Sequence, residues 1–134
     1  MKIMNSSKEI RYVDGFVLVV PKDKVEAYRQ MAEDGAKLWM ECGAISYAEC
    51  MGEDFNNTFD GEPQWLSFPQ LVNLKEDETV WFSYITFKSR EHRDEVNKKV
   101  HAEMGKKYEN CENFEMPFDM KRMAYSGFTV EVTR

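Results

Sequence analysis

Thr79-Val80-Trp81-Phe82-Ser83-Tyr84-Ile85-Thr86-Phe87 reads as a β-strand, and the character of its two faces decides the fold. β-Branched and aromatic residues dominate it, and these suit a pleated, packed surface. Successive side chains on a strand point to opposite sides. Trp81, Ile85 and Phe87 therefore share one face, and Val80, Phe82 and Tyr84 share the other. A sheet with one wet face alternates apolar with polar residues. Here both faces are apolar, so both need cover.

The stretch Tyr12-Val13-Asp14-Gly15-Phe16-Val17-Leu18-Val19-Val20 behaves the same way. Phe16, Leu18 and Val20 oppose Val13, Val17 and Val19, and Pro21 ends the run because proline cannot donate to a ladder. Helical signals follow each strand. Asp23 is an N-cap candidate for a helix over about Asp23 to Glu41, with Val25, Tyr28, Ala32 and Trp39 on one face and Gly43 as its C′ residue. Ser89 caps a second helix, about Arg90 to Met104, whose apolar stripe is Val96, Val100 and Met104.

Strand signals recur at Ala44–Met51 and from about Lys121 to Val132. Residues 52–66 form an irregular excursion rich in turn residues, among them Asn56-Asn57, Asp60-Gly61 and Pro63. Ser67-Phe68-Pro69-Gln70 resembles a capping box, which predicts a short helical turn before Leu74, with a short strand as the alternative. The order is β-α-β twice. It predicts one α+β domain over residues 12–134, after a lead-in at 1–11, with a ferredoxin-like βαββαβ arrangement and two helices on one face of an antiparallel sheet. The helix-free face then needs a second cover. A twofold homodimer, sheet against sheet, is the simplest closed solution, and a monomer covered by the 52–66 excursion is the competing one.

Composition narrows the function classes. The chain has 134 residues, 43% of them apolar and 31% charged, which is globular composition. A net charge of −6 disfavours phosphate backbones and anionic membranes as partners. No apolar run approaches the roughly 18 residues of a membrane span. The polar start, Met1 to Arg11, does not read as a signal peptide. The three cysteines, Cys42, Cys50 and Cys111, form no CxxC pair and read as structural free thiols, which points to the cytoplasm. No glycine-rich phosphate loop appears, and no cofactor follows from the residues.

Several segments resemble the YbaA-like bacterial family. They are Tyr12-Val13-Asp14-Gly15-Phe16, Val20-Pro21-Lys22-Asp23-Lys24, Phe68-Pro69-Gln70, Ser89-Arg90-Glu91-His92-Arg93-Asp94 and Met116-Pro117-Phe118-Asp119-Met120-Lys121-Arg122-Met123. The resemblance runs from about Tyr12 to Val132. It implies a ferredoxin-like fold in a dimeric α+β barrel and brings no established activity. Barrels of this type are shared by cofactor-free and haem-degrading monooxygenases and by stress-responsive proteins, but fold does not fix function.

His92 and Asp14 are the candidate catalytic residues. His92 lies in the first turn of a helix, where the dipole disfavours imidazolium, so a neutral ring there can act as base or ligand. The plainer reading is a capping or packing histidine. His101, nine residues later, makes no metal pair with it and reads as exposed. Asp14 is a carboxylate in an apolar strand, which requires pairing, hydration or a shifted pKa. A backbone turn or Arg122 are its candidate partners.

Trp81, Tyr84, Trp39 and Arg122 are the candidate ligand-binding residues. An aromatic strand beside a helix start can wall a flat pocket, and core or interface packing is the plainer role. Haem-degrading relatives by fold place a tryptophan and a histidine in a loosely similar way to Trp81 and His92. Three readings compete: a small homodimeric protein that binds an apolar or aromatic ligand, a cofactor-free or haem-dependent monooxygenase, and a protein-interaction module built on the 52–66 loop.

Overall fold

The computed structural model describes residues 9–107 and 115–134. Cys111 and part of the 106–118 connection lie outside the described residues. Strand β1 is Tyr12–Pro21, helix α1 Val25–Glu41, strand β2 Ser46–Met51, and a small ribbon pairs β3 (Thr58–Phe59) with β4 (Glu62–Pro63). Helix α2 (Phe68–Val72), strand β5 (Glu78–Phe87), helix α3 (Arg90–Lys107) and strand β6 (Ala124–Thr129) complete the order. The four long strands form one sheet in the order β2-β5-β1-β6, antiparallel throughout. The result is a mixed α+β architecture with an open, unclosed sheet.

The central pair is β1 with β5, in register from Tyr12 opposite Phe87 to Pro21 opposite Glu78. That register puts Tyr12, Asp14, Phe16, Leu18 and Val20 on one face with Phe87, Ile85, Ser83, Trp81 and Thr79. The long helices lie on this face and their stripes bury two clusters. In one, Val96 and Val100 of α3 meet Tyr12, Ile85 and Phe87. In the other, Tyr28 and Ala32 of α1 meet Leu18, Val20 and Trp81. Phe16 packs against both. Each fully buried side chain of this size contributes about 1.5–3 kcal/mol.

The helix ends differ in how well their signals are used. Ser89 accepts from the His92 backbone N–H at 3.0 Å, as its position predicts. Gly43 takes a φ of +114° just past α1, the left-handed conformation expected after a helix end. Asp23 does not cap α1. Residues Lys22–Lys24 make a 3-10 turn instead, and Lys24 occupies the cap position with no side-chain bond. The last strand is shorter than its apolar pattern suggests, because a 3-10 turn at Met120–Arg122 precedes it. Gly105 sits inside α3, which continues to Lys107.

Phe87→Ala should destabilise the fold by about 3–5 kcal/mol, since Phe87 is fully buried at the end of the central ladder. Urea unfolding followed by far-UV circular dichroism checks this. A loss under about 1 kcal/mol would mean that the cluster does not support the fold.

Candidate functional site

The sheet face opposite α1 and α3 divides into two halves. Val19 and Val80 lie on this face by register, yet they are 0% and 2% exposed. Their cover is the excursion between β2 and β5, residues 52–77. It leaves β2 with the Gly52 N–H donating to the Val80 carbonyl at 2.8 Å. It turns back through the β3–β4 ribbon at Asp60 and Gly61, both at positive φ. It then forms α2, opened by a complete capping box between Ser67 and Gln70. Phe68 of α2 meets Phe82 edge-on at 6.2 Å between centroids.

Arg122 fastens the far end of this cover. Its guanidinium donates to the Val72 and Asn73 carbonyls at 2.8 and 3.1 Å and to Glu78 Oε2 at 2.5 Å. A cation on the last carbonyls of a helix answers their free lone pairs and the helix dipole. The same contact holds the Glu78 carboxyl below its ordinary pKa, through the Arg122 hydrogen bond above all. Arg122 is thus a clamp across the sheet, and its carboxylate partner is Glu78 rather than Asp14.

Between excursion and sheet lies a cleft of about 250 Å³. Phe55, Phe68, Val80 and Phe82 line it, with Asp54, Asn56 and Ser67 as polar groups and Cys50 beside them. Gly52 makes its shape possible. A Cβ there would lie 2.6 Å from Phe55 Cε1 and 3.1 Å from Val80 Cγ1, so any side chain displaces the Phe55 ring. A second, wider hollow of about 680 Å³ lies beside Arg122, over Val17, Leu71 and Ala124.

The other face holds a seam of polar groups between helices and sheet. Asp14 is 1% exposed and accepts from Arg93 Nη1 at 2.7 Å. The same Nη1 donates to the Tyr125 hydroxyl at 2.9 Å, and the guanidinium lies 5.0 Å from the Tyr12 ring centroid. Burial raises the Asp14 pKa, while the charge and hydrogen bond of Arg93 hold it down, with help from Tyr125 and Asn97. Asn97 also accepts from the Trp39 indole N–H at 3.1 Å. Trp39 leans on Tyr47 at 6.1 Å between centroids. Tyr47 and Tyr28 both donate to Glu49, at 2.6 and 2.7 Å. Burial, then the Glu49 charge, pushes both phenols well above their ordinary pKa. Among the described residues, no buried side-chain polar atom lacks a partner.

The structure therefore separates the candidate residues. His92 Nδ1 accepts the Lys88 backbone N–H at 3.0 Å and its ring rests edge-on against Phe87. That is the capping and packing geometry. Asp14 and Trp39 share one network through Asn97, and His92 is not in it. Trp81 is buried under Tyr28, its indole donates to Thr79 at 2.9 Å, and the residue also borders the cleft. Tyr84 lies on the opposite face, beside Phe82. His101 is exposed, Cys42 half-buried, and Cys50 exposed on the cleft side. Arg93 is the residue that the sequence reading missed. Its signal was indirect: a buried strand carboxylate requires a cation, and Arg93 stands one position after His92.

No group of three metal-ligating side chains occurs among the described residues. No described helix is long and apolar enough to cross a membrane. Residues 11–120 match the family described as "Protein of unknown function (DUF1428)". The chain is 44% identical over 119 residues to the "Uncharacterized protein YbaA" of Escherichia coli strain K12, which covers 89% of this chain and 95% of that one. The protein of the same name from Shigella flexneri matches to the same extent.

Two outcomes test these contacts. Arg93→Met should cost about 3 kcal/mol at pH 7, because it leaves a buried carboxylate unpaired. The sign with pH follows from Asp14, whose folded pKa is already raised and rises further without the cation. The charge-dependent deficit is absent while Asp14 is protonated in both folded proteins, below about pH 4. It grows as pH rises through the two folded-state pKa values. Urea titrations at pH 4 and 7 that give equal deficits would contradict this. Arg122→Gln should speed amide exchange in residues 68–75 by roughly tenfold, through loss of about 1.4 kcal/mol of local protection, and leave β1 and β5 unchanged.

Proposed function

The chain belongs to the DUF1428 family of proteins of unknown function, and from that premise we propose that it is a small cytoplasmic homodimer that binds a small aromatic or apolar molecule. The binding place is the cleft beneath the 52–77 excursion. One observation carries this reading: the apolar cleft of about 250 Å³ lies on the face opposite the two long helices, with Phe55, Phe68 and Phe82 around it and few polar groups at its rim. Ligand sites are concave, mostly aromatic and set with a small number of orienting polar groups. The volume lies just below the roughly 300–1,000 Å³ of drug-sized sites, which suits a molecule of one or two rings. Asn56 and Ser67 supply neutral hydrogen-bonding partners for its edge, and Asp54 disfavours an anionic ligand there.

The strand order β2-β5-β1-β6 with helices on one face supports the ferredoxin-like assignment, and the exposed half of the other face supports a dimer of the barrel type. The oxygenase reading asks His92, with either Asp14 or Trp81, to face one cavity. His92 is bonded to the Lys88 backbone, Asp14 to Arg93, and Trp81 to Thr79. The cleft reading needs none of the three to react.

Ligand-observed NMR with a panel of neutral one- and two-ring aromatics should give saturation transfer to the wild type. Gly52→Ala should weaken binding about tenfold, by moving the Phe55 ring into the cleft. Phe68→Ala should abolish it, with the far-UV spectrum unchanged. No transfer from any panel member would remove the binding reading.

A further inference from the structure

The cleft beneath the excursion carries charge of one sign. Asp54 is the only charged residue among the described residues that line it. Its Oδ1 accepts the Asn56 backbone N–H at 3.1 Å, and the carboxylate makes no ion pair among the described residues. The chain around it has the same sign. From Leu38 to Leu74 there is no lysine, arginine or histidine, while Glu53, Asp60 and Glu62 share the excursion with Asp54. A concave site with low-dielectric walls focuses such a field on its own contents.

The apolar walls favour the same sign of ligand. Phe55, Phe68 and Phe82 are 40%, 44% and 43% exposed, so each ring keeps accessible surface. The Phe68 and Phe82 rings cross at 82° with centroids 6.2 Å apart, like two walls of a corner. The face of an aromatic ring is electron-rich and attracts a cation held within about 6 Å of its centre. An anion meets the opposite field and finds few donors. At the start of α2 the Ser67 N–H goes to Gln70 Oε1 and the Gln70 N–H to Ser67 Oγ, and Pro69 has no N–H.

We infer that the cleft selects organic ammonium ions, in which an aromatic ring carries a short alkyl arm ending in a protonated amine. The ring lies among Phe55, Phe68 and Phe82, and the ammonium group meets Asp54. The inference rests on the binding reading proposed above and names the class of ligand. Neutral aromatics use the walls alone and bind more weakly. Aromatic carboxylates are repelled by Asp54.

Ligand-observed NMR titrations of the full chain at pH 7 with phenethylamine, phenethyl alcohol and phenylacetate test this. The amine should bind about tenfold more tightly than the alcohol, and the carboxylate more weakly than either. Asp54→Asn keeps the Oδ1 acceptor for the Asn56 N–H and removes the charge. It should bring the amine within about twofold of the alcohol and leave the alcohol's affinity unchanged. Glu33→Gln, at an exposed position on α1, makes the same change in net charge and should leave the preference intact, because salt screens distant charges. An equal loss there would assign the preference to overall charge and overturn the inference. N-acetyl-lysine methylamide, an ammonium without a ring, should bind roughly tenfold more weakly than the amine. Equal binding would mean that the carboxylates act without the aromatic walls, and it too overturns the inference. Equal affinity for amine and alcohol overturns the cation preference and leaves the binding reading standing. No transfer from any of these probes or from the neutral panel overturns both.

Discussion

Ten consecutive residue pairs between β1 and β5, from Tyr12 opposite Phe87 to Pro21 opposite Glu78, form the constraint on which the rest of the molecule depends. Side chains alternate across a strand with a period of two, so a slip of one residue would exchange the faces. Both strands are apolar on both sides. The ladder therefore creates two surfaces to be covered. The helices α1 and α3 cover one. Their stripes meet Leu18, Val20 and Trp81 at one end and Tyr12, Ile85 and Phe87 at the other.

The two faces are covered by different physical means, and this separates structure from candidate function. On the helix face the polar groups answer one another. Asp14 meets Arg93, Arg93 meets Tyr125, the Trp39 indole meets Asn97, and two tyrosines meet Glu49. A buried network of this kind is costly when half satisfied and rigid when complete. On the other face a single excursion with a two-stranded ribbon and the short helix α2 stands in for two long helices, pinned by Arg122 at its far end and by the Gly52 ladder bond at its near end. The space between it and the sheet is the cleft.

This division gives the candidate residues new assignments. A histidine at a helix start attracts a catalytic reading because of the dipole, but the same position offers a backbone N–H that needs an acceptor, and His92 takes it. A tryptophan on a strand attracts a pocket reading, and Trp81 sits between the two: its ring packs on Tyr28 in the core, and the residue also borders the cleft. Tyr84 and Phe82, on the same strand, face the side where exposed aromatic surface remains.

The sequence left a helical turn or a short strand open at Ser67 and did not show the β3–β4 ribbon; by itself it determined the four long strands, the two long helices and the need to cover two sheet faces. These are local or periodic properties, carried by side-chain alternation, by helical stripes and by hydrogen bonds between near neighbours. It also showed that Asp14 required a partner, since a carboxylate in an apolar strand must be compensated. Only the tertiary structure decided that the partner is Arg93, 79 residues away, and that Arg122 closes the excursion through Glu78 and two carbonyls. Spacing along the chain carries no such information, because these pairs are made by strand order and helix docking. The cleft belongs to the same class: its walls come from β2, β5 and the excursion, and they meet only when the sheet has formed.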